Sequence, residues 1–305
     1  MSLPGKASPH TQQQKQSLKY LESPTWWRWG AASPRRGLQA LETAHTHMFT
    51  KPPSAYNQLT DGFDFHQAHL SSLTAPLATA VAYLALVALM THPRVKAKLN
   101  IDTRSAQALH NLALCLFSLV IAVGTFAEVV NRTIFENGST LWLFCEQDQT
   151  QPRGALWFWS YIYYLSKYYE LLDTVLQLLK GRPPPSFKLH IFHHAAVLVM
   201  AWAWLQYTQS LQFIGMLFNT SVHVVMYYYY FLRSLGYQVS WKRYVTHFQI
   251  FQFACSFVCF GVTMALIAGG RNCAGIYALA LNSLFNLTLL CQFLGLLRYP
   301  RAKVD

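Results

Sequence analysis

The feature that most constrains this 305-residue chain is a set of apolar runs of about 18 residues or more with almost no charge. A bilayer core offers no water to satisfy backbone polar groups, so runs of this kind are read as membrane-spanning helices. Spans are expected near 71–92, 107–130, 155–178, 186–206, 212–232, 245–268 and 274–297. Length alone would suggest two soluble domains. The apolar runs override that and predict an all-α polytopic membrane protein, a bundle of seven transmembrane helices spanning 71–298. A polar, poorly ordered extension (1–70) precedes it and a short basic tail (299–305) follows.

The net charge is +12, with 24 Lys and Arg, and its placement excludes a nucleic-acid partner. Thirteen lie in the loops after the first, third and fifth spans and in the C-terminal tail, among them Arg104, Lys180, Arg182, Lys188, Lys242 and Arg243. The opposite loops hold three, Arg132, Arg153 and Arg271. By the positive-inside rule the C-terminus is expected in the cytosol, with loop 131–154 in the lumen. The seven basic residues of the first 70 count the other way, but long segments follow this rule poorly.

Two glycosylation sequons, at Asn131 and Asn137, fall in the expected lumenal loop; those at Asn219 and Asn286 fall within spans. Cys145 and Cys273 sit in the two lumenal loops, either bonded to each other or as two free thiols. Residues 1–60 are rich in Gln, Ser, Pro and Thr and have no apolar secretory core, so the first span is expected to direct insertion. This segment is also poor in acids, which leaves an organelle transit peptide open. Trp26-Trp27-Arg28-Trp29 reads as an interfacial anchor or as a local cluster without function.

Against this apolar background, polar residues inside spans stand out as functional candidates. His190-Ile-Phe-His193-His194 places three imidazoles on one broad helix face. Three imidazoles there can bind a metal, relay protons or attack a carbonyl. Lys167, Glu170 and Asp173 recur every three residues on one face. Lys167 and Glu170 can neutralise each other, and a purely structural ion pair is the alternative. Asn219, His223, Tyr227 and Tyr230 form a polar stripe on the fifth span. Thr246, Gln249 and Gln252 share a face of the sixth, where amides also serve simply to join helices. Asp173, His190 and Gln249 lie near the cytosolic ends of their helices, and His223 about 15 Å in. Four helices thus direct polar groups into the cytosolic half, which predicts a pocket open to the cytosol that continues into an apolar tunnel.

Taken in order, the four motifs resemble the ELO family of very-long-chain fatty acid elongases. The family's K-x-x-E-x-x-D-T is Lys167 to Thr174, its H-x-x-H-H box is His190 to His194, its N-x-x-x-H-x-x-M-Y-x-Y-Y is Asn219 to Tyr230, and its T-x-x-Q-x-x-Q is Thr246 to Gln252. The resemblance covers roughly residues 70–300. It implies seven transmembrane helices, residence in the endoplasmic reticulum, and condensation of acyl-CoA with malonyl-CoA to 3-ketoacyl-CoA, carbon dioxide and CoA. It points to His193 as the acyl carrier. His190, His194 and Asp173 are then expected to tune or orient His193. His223, oriented by Asn219, is expected to bind the malonyl group or stabilise the enolate. Glu170, Tyr227, Tyr230, Gln249 and Gln252 are assigned to substrate binding, with Lys167, Arg182, Lys188, Lys242 and Arg243 as contacts for CoA phosphates. No metal or cofactor is expected. The expected partners are the two CoA thioesters, the lipid bilayer, other enzymes of the elongation cycle and a second copy of the chain.

The N-terminal 70 residues are longer and more polar than the family pattern, and Arg301-Ala-Lys303-Val-Asp305 is a basic variant of its dilysine retrieval signal. His194-Ala-Ala-Val and Gln209-Ser-Leu-Gln look more like elongases of saturated and monounsaturated chains. Two rivals compete. A membrane di-iron desaturase or hydroxylase also uses H-x-x-H-H, but a second such box is absent, and His66-Gln-Ala-His69 lies on the expected lumenal side. A proton-coupled transporter would use Lys167, Glu170 and Asp173 as a relay, but needs access from both faces.

Overall fold

The computed structural model describes residues 60–184 and 186–298. The chain divides into Met1–Pro52 and Pro53–Asp305. The first unit, with its Trp26–Trp29 cluster, and the tail from 299 onward lie outside the described residues. Among the described residues every regular element is helical, apart from two isolated bridges, Asp64 with Arg153 and Gln147 with Cys273.

The helices follow the apolar runs. They are α1 (Thr74–Thr91), α2 (Arg104–Asn131), α3 (Ala155–Glu170), α4 (Leu172–Leu179), α5 (Phe187–Gln206), α6 (Gln212–Ser234), α7 (Lys242–Ala268) and α8 (Ile276–Arg298). α3 and α4 form one broken rod within the third expected span. At the break Leu171 donates to Tyr168 O, and Thr174 donates to Leu171 O, so tighter i→i+3 bonds interrupt the α ladder. The break re-aims Asp173 and Thr174, directly after the buried Lys167 and Glu170.

Among the described residues four helices are long and apolar enough to cross a membrane: Thr74–Thr91, Arg104–Asn137 including a π-helical extension, Lys242–Ala268 and Ile276–Gly295. The other three expected spans do not reach that mark, and they are the ones that carry the Lys/Glu/Asp, His and Asn/His motifs. α2 is inverted relative to a soluble helix. It exposes Leu109, Leu116, Val120, Val123 and Phe126 while burying Gln107, His110, Asn111 and Ser118, as a hydrocarbon solvent demands.

One end of the bundle is heavily tied. Cys145 and Cys273 form a disulfide, so of the two readings open in the sequence the structure takes the bonded one. Arg132 forms a bidentate pair with Glu146, both bonds 2.7 Å, and its guanidinium stacks 4.2 Å over Trp142. Ser210 receives the Glu146 amide and donates to Ala274 O. Gly275 has φ +67, and a Cβ there would meet Gln209 Cα at 2.6 Å, so only glycine fits. Residues just before α1 join this end: Phe65 is fully buried, and Trp202 donates to Ser71 O.

The opposite end carries Arg104, Lys180, Arg233, Lys242 and Arg243. There Gly181 closes α4 at φ +74, with no room for a Cβ beside Leu99 O at 2.6 Å. Ile101 donates to Leu179 O, which fixes the loop before α2 onto the end of α4.

Candidate active site

A cavity of about 1210 Å³ occupies the basic half of the bundle. Glu170, Asp173, His190, His193, His194, Asn219, His223, Tyr227, Tyr230, Gln249 and Gln252 all line it, together with Arg243. A second, narrower cavity of about 70 Å³ runs among Val197, Met200, Trp204, Leu211, Phe218 and Leu279. The two share His193, Asn219, Gln252 and Phe253 in their walls. His193 is therefore the box histidine that faces both spaces.

The three box imidazoles differ in their partners. His190 Nε2 lies 2.8 Å from Thr174 Oγ1, which in turn lies 2.8 Å from Tyr83 OH on α1. His194 is buried, 4.3 Å from His190 ring to ring, and its Nδ1 has no hydrogen-bond partner. The His193 ring stacks on Phe285 at 6.0 Å and has no hydrogen bond within the described residues. His193 differs from the also unbonded His194 in lining both cavities.

The charged triplet divides at the helix break. Lys167 and Glu170 are both 1% exposed, and their Nζ–Oε1 distance is 2.7 Å. Lys167 also donates to Asn219 Oδ1 at 3.3 Å and sits 4.1 Å over the Tyr163 ring. Expected as a phosphate contact, Lys167 instead stands behind the cavity wall with its ammonium engaged. Lys188 is exposed and outside the lining, and Arg182 is likewise exposed. Removing one member of such a buried pair costs about 3–5 kcal/mol, because the other charge is left uncompensated.

Glu170 Oε1 also lies 3.5 Å from His223 Nδ1. Asn219, expected to orient His223, instead accepts from Tyr163 and Lys167, so Glu170 is the contact to His223. Glu170 Oε2 has no partner. Asp173, expected to orient the box histidines, gives one oxygen to His110 Nε2 (3.0 Å) and the other to Tyr227 OH (2.9 Å). Gln249 donates to Met226 Sδ at 3.4 Å, which ties α7 to α6.

Tyr83, His110 and Tyr163 were not singled out from sequence. His110 carried a readable signal, since Gln107, His110 and Asn111 share a face of an otherwise apolar span. Tyr83 carried none, since a single tyrosine in an apolar helix is ordinary, and Tyr163 is one of several tyrosines in 161–169 with nothing in the sequence to single it out. No group of three or more His, Cys, Asp or Glu side chains among the described residues is arranged to hold a metal ion.

The fold and site define an all-helical membrane protein with histidines, a buried Lys–Glu pair and amides around an internal cavity. The chain belongs to the ELO, GNS1/SUR4, family, whose model matches residues 68–298. It is similar to fatty acid elongase sre1 of Dictyostelium discoideum, 36% identical over 205 residues, which is 65% of this chain and 74% of that protein. Fatty acid elongase A of the same organism is 34% identical over 183 residues, 60% of this chain and 65% of that protein. Fatty acid elongase 3-like of Arabidopsis thaliana is 30% identical over 199 residues, 61% and 68% of the two chains. A further Dictyostelium relative is 44% identical over 147 residues, and this chain spans about half of its length, 48%.

Proposed function

We propose that this protein is a fatty acid elongase that condenses a long-chain acyl-CoA with malonyl-CoA, giving 3-ketoacyl-CoA, carbon dioxide and CoA. The observation that carries this reading is His193, which has no hydrogen-bond partner and stands where the polar cavity meets the apolar one. A thioester whose carbonyl reaches His193 has its CoA on the cavity side and its chain on the apolar side. The apolar cavity is then the start of an acyl tunnel, which opens further when a chain enters. The relatives named fatty acid elongase support the same reading.

In the first step an imidazole nitrogen of His193 attacks the thioester carbonyl. The C–S bond breaks, and the imidazole proton leaves with the thiolate as CoA-SH. In the second, malonyl-CoA loses carbon dioxide, and the electron pair of the broken C–C bond becomes an enolate. The enolate attacks the acyl carbonyl, and His193 departs as an imidazolate that takes a proton from water at the open end. His223, with Nδ1 backed by Glu170, faces the malonyl group and steadies the enolate oxygen. Gln252 and Asn219, shared by both cavities, flank the acyl carbonyl. Arg243, Lys242 and Lys180 on the rim attract the CoA phosphates.

In this reading the seven rods all span the membrane of the endoplasmic reticulum, the C-terminus and basic rim face the cytosol, and the disulfide end faces the oxidising lumen. Substrates are saturated or monounsaturated chains. The other enzymes of the elongation cycle and a second copy of the chain are its partners there. The test uses purified protein with palmitoyl-CoA and no malonyl-CoA. One equivalent of CoA should be released, and intact mass should rise by one acyl group located at His193. CoA release that requires both substrates together would replace the covalent route with direct attack in a ternary complex. No condensation with any acyl-CoA would sink the reading as a whole.

A further inference from the structure

Asp173 and Thr174 sit where four helices meet. Thr174 bonds to Tyr83 of α1 and His190 of α5, while Asp173 bonds to His110 of α2 and Tyr227 of α6. His110 belongs to none of the four motifs. It is 5% exposed, its ring packs 4.8 Å from Tyr169, and its Nδ1 has no partner. An ionised carboxylate only accepts hydrogen bonds, so Nε2 of His110 must carry the proton it shares with Asp173. The Tyr227 hydroxyl must likewise donate to Asp173. With both donors in place, the Asp173 carboxylate has one preferred orientation between α2 and α6.

Tyr227 is the exit of this chain of contacts. Its ring stands edge-on to His223, centroids 5.3 Å apart at 88°, one helical turn along α6. Tyr227 is 1% exposed, so with its hydroxyl anchored the ring has one packed position, and His223 packs against it. His193 has no hydrogen bond to His110, Asp173 or Tyr227. Its near neighbours are His194 and Phe285.

We propose that His110 is a positioning residue for the condensation step. Through Asp173 it holds Tyr227 against His223, and so acts on the enolate half of the reaction and not on acyl loading. The proposal rests on the elongase reading. A bond that merely joined α2 to α4 would affect both halves alike, and that difference makes the role testable.

The experiment uses the full chain in detergent, palmitoyl-CoA for loading, and malonyl-CoA labelled in its free carboxyl for condensation. His110→Ala should load the acyl group at a rate within about twofold of wild type. It should release labelled carbon dioxide about ten- to a hundredfold more slowly, the size of one lost hydrogen bond to a charged group. His110→Gln, whose amide nitrogen can take the place of Nε2, should recover most of that loss. Tyr227→Phe should show the same split, and the double variant should be little worse than either single one, since both act through one carboxylate. Equal losses in loading and condensation, additive losses in the double variant, or no recovery with Gln would each overturn the proposal while leaving the elongase reading intact. If wild type condenses without a detectable acyl adduct, there is no separate loading half for His110 to spare, and the proposal is overturned. A wild type that releases no labelled carbon dioxide overturns the elongase reading, and this proposal with it.

Discussion

The two ends of the bundle hold themselves together by different means. At the disulfide end the ties join loops to helix ends: Cys145–Cys273, the Arg132–Glu146 pair, and Ser210 bonded to both Glu146 and Ala274. At the basic end the ties are side chain to side chain between helices, converging on Lys167–Glu170 and on Asp173–Thr174, around a large cavity. The first arrangement closes the bundle with a covalent link and one buried ion pair, Arg132–Glu146. The second surrounds a space with bonded side chains at Lys167–Glu170 and Asp173–Thr174. The contrast shows two ways of holding helices together: loop ties that close one end, and interhelical bonds that frame a cavity into which His193 faces.

The comparison predicts that a variant of an unbonded cavity group loses chemistry first, that a variant of the buried pair at the basic end loses both, and that variants at the disulfide end lose stability alone. The largest effect is expected for His193→Ala. Turnover should fall on the order of 10³-fold or more, since no neighbouring nucleophile replaces it, while the thermal unfolding midpoint in detergent stays near that of wild type. Residual turnover within tenfold of wild type would move the nucleophile elsewhere.

Lys167→Met should destabilise by about 3–5 kcal/mol through the stranded Glu170. Adding Glu170→Gln should recover much of the stability but not the activity, because His223 then loses its carboxylate neighbour. If the single variant melts like wild type, the pair is not the support described here.

Cys145→Ser and Cys273→Ser should each cost about 2–5 kcal/mol. Each should leave turnover at low temperature nearly unchanged and abolish any effect of reductant on the melting curve. A loss of turnover without a loss of stability would erase the distinction between the two ends. The smallest effect belongs to Arg243→Ala on the exposed rim. KM for acyl-CoA should rise about two- to tenfold, the rise should vanish at high salt, and stability should shift by no more than about 0.5 kcal/mol. A KM change that ignores ionic strength would argue against an electrostatic role.

Much of this architecture can be read from local sequence. Helix positions follow the apolar runs because hydrocarbon leaves the backbone no alternative to internal hydrogen bonds. The motif residues stand out because polar groups are costly in that setting, and most of them do line one cavity. The break at Leu171 was not legible, since no Pro or Gly marks it. Lys167 was read as facing substrate because a charge in a span invites that reading. Of its partners, Glu170 and the Tyr163 ring lie on α3 itself, whereas Asn219 on α6 is supplied only by the packing of α3 against that helix.

By itself, then, the sequence determined the helical rods, the charge asymmetry between the ends and the residues worth examining. Only the tertiary structure decided which of them touch: that Glu170 and not Asn219 meets His223, that Asp173 joins His110 to Tyr227, and that His193 alone of its box faces both cavities. The physical reason is rotational. The spacing of residues along a helix sets which side chains share a face, but the direction of that face depends on how each rod turns and tilts against its neighbours. Packing sets that orientation over the whole bundle, and no local stretch of sequence contains it.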